Sequence, residues 1–322
     1  MERLRLDTLA PRGWPEPAVT VGNFDGVHRG HQSLVAAAVS EARALGGTAV
    51  ALTFDPHPSR VLSPDRAPAS LMTLDQKAEA LAGLGLDRLA VLPFTFELSR
   101  ESASEFARRV LREALGARVV VVGEGFRFGR GREGDLGLLA RLGRELGFEV
   151  RGSPPVLHEG APISSTRIRE ALARGAVAAA RDMLGRPFFV EGPVVRGDGR
   201  GRAIGLPTAN VAVVNETLPA RGVYAVWCRV GGGPQAPGPD RGRPAVVNIG
   251  HRPTFGGGGL AVEAHLLDFE GDLYGRTLRI LFAERLREER AFDGAEALVR
   301  QVRDDIARAR EMLDIVDRGP AA

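Results

Sequence analysis

Gly26-Val27-His28-Arg29-Gly30-His31 lies between an apolar run, Ala18-Val19-Thr20-Val21, and an apolar-periodic segment from Leu34 to Leu45. That order reads as strand, glycine-rich turn and helix. Two imidazoles separated by a glycine fall where a helix offers free backbone N–H groups. A helix start of this kind attracts anions, phosphate above all. Imidazoles there can donate hydrogen bonds to phosphate oxygens as charge builds on phosphorus. The stretch points to a nucleoside triphosphate at the head of a β–α unit.

Outward from that turn, the first half alternates short apolar runs with helical patterns. Strands are expected at 19–22, 48–54, 88–92, 119–122 and 148–151, with helical spacing over 33–45, 75–84, 102–115 and 137–146. Alternation of this kind predicts an α/β fold, a parallel sheet covered on both faces. Ligands bind beyond the carboxyl ends of such strands, where the turns after 22 and 122 fall. Helices over 167–174 and 177–184 follow, and Gly185-Arg186-Pro187 marks a boundary between domains 1–184 and 185–322. The second half changes to short alternating runs separated by Gly and Pro. It predicts an antiparallel β-barrel with a C-terminal helix, whose stripe is Leu298, Val302, Ile306 and Leu313.

Bulk composition excludes several classes. The chain has 322 residues, 44% of them hydrophobic, long enough for two domains. It contains no uncharged apolar run of membrane-spanning length. The charged start, Met1-Glu2-Arg3-Leu4-Arg5-Leu6-Asp7, does not read as a signal peptide. One cysteine, Cys228, rules out an internal disulfide and a cysteine metal set. The net charge is +3, from 43 basic and 40 acidic residues. These are mixed along the chain, which argues against a nucleic-acid partner. A cytoplasmic enzyme without a membrane partner is expected, and a homo-oligomer is compatible with this composition.

Three further segments of the first half bear on chemistry. Phe54-Asp55-Pro56-His57-Pro58 ends the second strand in a rigid polar turn. Val122-Gly123-Glu124-Gly125-Phe126-Arg127-Phe128-Gly129 ends a later strand with glycines and arginine. Ile163-Ser164-Ser165-Thr166-Arg167-Ile168-Arg169 sets three hydroxyls before a helix. Those hydroxyls would cap the helix in any protein; with the arginines they would also grip triphosphate oxygens. In the second half, Gly197-Asp198-Gly199-Arg200-Gly201-Arg202 leads into Pro207-Thr208-Ala209-Asn210. It lacks the Gly-Lys-Ser/Thr of a P-loop, yet its glycines allow close approach of backbone to phosphate. Thr208 and Asn210 alternate on one side of an extended chain, where hydroxyl and amide oxygens can share a Mg²⁺ with ATP.

Asn23-Phe24-Asp25-Gly26-Val27-His28-Arg29-Gly30-His31 together with 163–169 resembles the adenylyltransferase half of bacterial bifunctional riboflavin kinase/FAD synthetases, within the wider nucleotidyltransferase superfamily. Pro207-Thr208-Ala209-Asn210, Asn248-Ile249-Gly250-His251-Arg252-Pro253-Thr254-Phe255 and Val262-Glu263-Ala264-His265-Leu266-Leu267-Asp268-Phe269 resemble riboflavin kinase. The resemblance spans essentially the whole chain. It implies a Rossmann-like nucleotidyltransferase sheet followed by a kinase barrel, with riboflavin, FMN and ATP as small-molecule substrates, FAD as product and Mg²⁺ as cofactor. It also implies site residues. His28 and His31 would act on the α/β-phosphates. Asn23, Asp25, Gly26, Gly30, Gly123, Ser164, Ser165, Thr166, Arg167 and Arg169 would line the nucleotide site. In the second half Gly199, Arg200, Gly201 and Asn248 would bind nucleotide, Thr208 and Asn210 the metal. Glu263 would be the general base. The pattern departs at Gly125, where the family often carries Asn or Asp.

The first half alone would also suit another phosphate acceptor, such as pantetheine phosphate or nicotinamide mononucleotide; the kinase-type motifs oppose that. A flavin-binding regulator with a decayed adenylyl site is the non-enzymatic alternative, with Gly125 as its support. A nucleic-acid enzyme would show strongly salt-dependent RNA binding, which is not expected.

Overall fold

The computed structural model describes residues 1–10, 12–197, 206–231, 242–251 and 260–318. Gly199, Arg200, Gly201 and the stretch from Arg252 to Phe255 lie outside the described residues. The chain divides into two compact units, Met1–Ser164 and Ser165–Ala322.

The first unit is built on a six-stranded sheet. Its strands are β1 (Glu2–Arg5), β2 (Ala18–Val21), β3 (Ala49–Asp55), β4 (Arg88–Pro93), β5 (Val119–Gly123) and β6 (Glu149–Ser153), in the order β1-β4-β3-β2-β5-β6. Every pairing is parallel. β2 is buried at every position and β5 at its first four, as expected of strands covered on both faces. Val19, Val21, Val120 and Val122 meet Phe106, Val110, Leu139 and Leu142 on one face. Those residues come from α4 (Ala103–Phe106), which continues as a π-helix through Ala107–Ala114, and from α5 (Leu136–Leu146). Ala18, Ala51, Leu89 and Val121 pack with Val35, Ala38, Ala42 and Leu81 on the other face. These belong to α1 (Arg29–Ala44) and α3 (Leu74–Ala82); the short α2 (Pro58–Leu62) lies between them in sequence. β7 (Leu157–His158) and β8 (Ala161–Pro162) form a separate small hairpin.

The strand order matters for function. From β2 the chain runs outward through β3 and β4, then β5 and β6 add on the opposite side of β2. The direction of winding therefore reverses between β2 and β5, and ligands of open parallel sheets bind in the crevice at such a reversal. The turn after β2 carries His28 and His31, and β5 ends at Gly123.

The second unit opens with α6 (Ser165–Ala173) and α7 (Val177–Leu184). A closed six-stranded barrel follows, made of β9 (Phe189–Val195), β10 (Ala209–Val211), β11 (Gly222–Val230), β12 (Arg243–His251), β13 (Leu260–Leu266) and β14 (Thr277–Arg287). All its pairings are antiparallel, in the order β10-β13-β12-β11-β14-β9, and β9 closes on β10. Alternation along β11 divides inside from outside. Tyr224 meets Phe282 edge-on at 5.3 Å, whereas Val223 and Ala225 pack with Val246, Leu286, Ala309 and Leu313. The last two belong to α8 (Ala295–Arg318), which is pinned by the Arg287 guanidinium donating to buried Asp305 at 2.8–3.1 Å. The expected parallel sheet, barrel and closing helix are thus all present. The compact division falls about twenty residues before the expected 184/185 boundary, because α6 and α7 gather with the barrel. Leu172 carbonyl accepts from the Ala220 N–H at 2.8 Å, and Arg285 donates to the Arg174 and Arg221 carbonyls at 3.4 and 2.6 Å.

Candidate active sites

The turn between β2 and α1 is shaped by unusual backbone. Gly26 has φ of 83°, but Phe24 and Val27 also lie in the left-handed region, at 48° and 41°. For a β-branched residue such as Val27 that conformation is strained, and such strain gathers at functional sites. Buried packing of Phe24 and Val27 holds the turn in place. His28 then takes the N-cap of α1, its Nδ1 accepting from the His31 N–H at 3.3 Å. With Nδ1 an acceptor, a neutral ring there carries its proton on Nε2. The His31 ring stacks on His28 at 3.6 Å and 17°, and Phe24 meets His31 edge-on at 5.3 Å. A Cβ at Gly30 would stand 3.2 Å from His28 Cε1 and Nδ1, so a glycine leaves room for the ring to fold back over the first turn.

The neighbouring strand end completes this cluster. Asn23 Nδ2 is 3.1 Å from His57 Nε2, and Thr53 Oγ1 donates to the Asn23 carbonyl at 3.2 Å. His57 also caps α2, accepting from the Ser59 N–H at 3.3 Å. Asp25 is buried, and its two carboxylate oxygens accept from the Leu71 N–H at 3.0 and 3.2 Å. It therefore fixes the segment leading into α3. Gly123 and Gly125 have nothing within 4 Å of an added Cβ, which describes open space past the end of β5. Ser164 ends the first unit; Ser165, Thr166, Arg167 and Arg169 form the start of α6 in the second.

On the barrel, register brings three polar side chains into one row. Asn210 of β10 is directly opposite Glu263 of β13, and Glu263 is directly opposite Asn248 of β12. Directly paired residues share a face, so the carboxylate is flanked by two amides. Among the described residues Glu263 has no hydrogen-bond or ion-pair partner, and it is half-buried. Asn210 is buried, and a Cβ at Gly197 would come within 2.1 Å of its Nδ2 and 2.8 Å of its Oδ1. Backbone alone forms that wall of the cradle. Thr208 is exposed and precedes β10. His265 Nδ1 lies 2.8 Å from the Pro207 carbonyl, fixing the approach to β10. A Cβ at Gly250 would meet Glu289 Oε1 at 2.2 Å and Asn248 Nδ2 at 3.2 Å, so a second carboxylate lies beside the row. Among the described residues, no group of three or more His, Cys, Asp or Glu could hold a metal ion.

Residues 11–167 match the family model described as FAD synthetase, and residues 184–313 the model described as riboflavin kinase. A bifunctional riboflavin kinase/FMN adenylyltransferase of Pseudomonas fluorescens is 42% identical over 294 residues, covering 91% of this chain and 92% of that protein. The chain belongs to the bifunctional riboflavin kinase/FMN adenylyltransferase family. The protein of that description from Escherichia coli K12 is 39% identical over 297 residues, covering 92% and 93%. A crystal structure described as a macrolide-efflux protein from Streptococcus pneumoniae is similar at a TM-score of 0.86 and 32% identity, covering 96% of this chain and 99% of that one. No helix among the described residues is long and apolar enough to cross a membrane. The riboflavin kinase match over the barrel sets aside a lone nucleotidyltransferase for another acceptor.

Within this bifunctional family, the site residues expected from sequence fall into local groups. His28, His31, Asn23, Asp25, Gly26 and Gly30 come together at the β2–α1 turn, and Asn210, Glu263 and Asn248 in the barrel row. Sequence reasoning missed the Leu71 N–H behind Asp25, the contact of His57 with Asn23, and Glu289. The polar turn at 54–58 was the one available signal for His57. Nothing in the run Glu288-Glu289-Arg290 marks Glu289 as different from a solvated charge.

Proposed function

We propose that FMN is made at the barrel and that FAD is made at the turn that heads the parallel sheet. The enzyme phosphorylates riboflavin with ATP, and it transfers AMP from ATP to FMN, releasing pyrophosphate. The observation that supports the division most directly is the stacked His28–His31 pair on the first turn of α1, where the sheet's winding reverses.

In adenylyl transfer an FMN phosphate oxygen attacks the α-phosphorus of ATP and the bond to pyrophosphate breaks. The attacking phosphate is already anionic, so no base is required. The step needs alignment and neutralisation of growing charge. His28 Nε2–H, His31 and the α1 N-terminus supply donors to the α/β-phosphates. The hydroxyls of Ser164, Ser165 and Thr166 and the guanidinium groups of Arg167 and Arg169 serve the β/γ-phosphates, and Gly123 leaves space for nucleotide.

In the kinase step the riboflavin 5′-hydroxyl oxygen attacks the γ-phosphorus, the bond to ADP breaks, and the hydroxyl proton passes to Glu263. A hydroxyl, unlike a phosphate, does need that help. Asn248 and Asn210 orient the groups on either side of the base, and Gly199, Arg200 and Gly201 approach the ATP phosphates. Asn210 and Thr208 offer neutral oxygen donors of the kind Mg²⁺ accepts when phosphates supply the charge, and in that donor chemistry they fit such an ion. When bound, the ion neutralises phosphate charge. We assign the enzyme to the cytoplasm, with neither nucleic acid nor membrane as partner, and the functional boundary to 184/185. The buried lone Cys228 and the mixed surface charges support this.

Purified protein given riboflavin, ATP and Mg²⁺ is expected to yield both FMN and FAD on product chromatography. His31→Ala should slow FAD formation roughly a hundredfold, the usual loss for one preorganised donor, while FMN accumulates. Glu263→Ala should stop FMN formation and leave adenylylation of supplied FMN intact. Loss of both reactions in either variant would reject the partition.

A further inference from the structure

Lys77 is the only lysine among the 43 Lys and Arg residues of this chain. It lies on α3, 8% exposed, in the first unit. α3 is held close to the β2–α1 turn. Asp25, three residues before His28, accepts from the Leu71 N–H with both oxygens. Two residues later Thr73 caps α3 through a reciprocal box with Gln76, at 3.2 and 3.0 Å. Lys77 follows at once. Burial lowers the affinity of its amine for a proton, while Asp25 and Asp55 act in the opposite sense. Asp25 lies in the turn after β2 and Asp55 ends β3, and the Leu71 N–H on Asp25 ties the start of α3, one turn before Lys77, to that side of the sheet. Both carboxylates have other partners: Asp25 holds Leu71, and Asp55 accepts from Arg5 at 3.3 Å. Among the described residues the Lys77 ammonium makes no hydrogen bond and no ion pair.

Holding a largely buried cation is costly; Asp25 and Asp55 offset part of that cost, and an anion arriving at the ammonium would offset more. A compact ammonium with three donors suits a confined site better than a guanidinium with five. We propose that Lys77 is a further phosphate-binding residue of adenylyl transfer, its ammonium meeting an oxygen of a reacting phosphate as charge moves between FMN and ATP. This rests on the reading of the His28–His31 turn as the adenylyl-transfer site.

The test uses the full chain carrying Lys77→Met, Lys77→Arg or His31→Ala. FAD formation from FMN and ATP is measured with FMN and ATP varied in turn, and ATP binding by titration calorimetry. FMN formation from riboflavin monitors the barrel. Lys77→Met should lower kcat/KM for FAD formation roughly ten- to a hundredfold, the range for a charge-assisted phosphate contact. Lys77→Arg should recover part of it, with FMN formation unchanged. A raised KM for ATP with weaker ATP binding assigns the contact to the polyphosphate; a raised KM for FMN alone assigns it to the flavin phosphate. Native FAD formation in Lys77→Met overturns the inference, as does an equal loss in the Met and Arg variants with a lowered Tm. Lys77→Gln serves in place of the Met variant should that fail to fold. If His31→Ala also forms FAD at the native rate, the reading of the turn itself falls; if His31→Ala is inactive and Lys77→Met is not, only the Lys77 inference falls.

Discussion

At the scale of single residues, the turn between β2 and α1 depends on where a methyl group is missing. A Cβ at Gly30 would press on His28 Cε1 and Nδ1 at 3.2 Å, and that ring is already stacked on His31 at 3.6 Å. It cannot yield without moving the second imidazole. Gly30→Ala is therefore expected to fold, to make FMN normally, and to form FAD roughly tenfold more slowly, since small displacements of catalytic groups carry costs of that order. Steady-state assay of each half-reaction checks this. Gly125 presents the opposite case, with nothing within 4 Å. The imidazoles could be singled out from sequence by a short pattern at a helix start, whereas Glu263 was singled out only by the resemblance of residues 262–269 to riboflavin kinase, because an alternating strand by itself reads as carrying a solvated carboxylate. The amide neighbours of Glu263 became a row only through pairing with β10 and β12. Asp25 was legible as a strand-end acid, but its partner Leu71 lies 46 residues on, beyond anything local spacing reports.

At the scale of elements, the β–α alternation was readable because buried parallel strands are continuous apolar runs, as in Val119-Val120-Val121-Val122. β1 was not, because Glu2-Arg3-Leu4-Arg5 is a short edge strand whose charges mask its pairing with β4. The fixing of α1 to the sheet likewise depends on a distant residue. Arg43, in its last turn, donates to both oxygens of Asp87 at 2.9 and 3.1 Å, and Asp87 also accepts from the Ala49 N–H at 2.8 Å, at the start of β3. The Arg43 hydrogen bonds, helped by the Ala49 N–H, hold the Asp87 carboxyl below the usual aspartate range. A depressed folded-state value contributes stability that is present above the unfolded-state pKa and lost as pH falls through the folded one. Asp87→Asn should therefore cost about 1 kcal/mol at neutral pH, discounted for the exposure of the pair. The difference from the native protein should shrink as the medium is taken below about pH 3.9. Urea titrations of both proteins at pH 7 and at about pH 3 would show it; a gap that stays constant between them would refute the linkage.

At the scale of the whole molecule, the two halves named by family and the two compact units do not share a boundary. The family models meet across residues 167–184, whereas the chain's own packing divides at Ser164/Ser165. Gly185-Arg186-Pro187 reads from sequence as a domain boundary, and in the structure Gly185 closes α7 with φ of 71°. What no periodicity reveals is the surface on which a helix packs. Ile168, Leu172, Val177, Met183 and Leu184 are all buried, and α7 packs on β14. Gly175 sits so close to Arg285 that a Cβ there would meet its Cδ at 2.7 Å. Removing α6 and α7 strips apolar cover from the barrel unit and frees the Arg285 guanidinium from the Arg174 carbonyl. A fragment spanning 165–322 should therefore melt higher than one spanning 185–322, by roughly 5–10 °C, since a few kcal/mol of buried apolar surface are at stake. Calorimetry of the two fragments decides the point. Equal melting temperatures would mean that α6 and α7 are passengers on the barrel, and that the boundary drawn by sequence at 184/185 is also the boundary of folding.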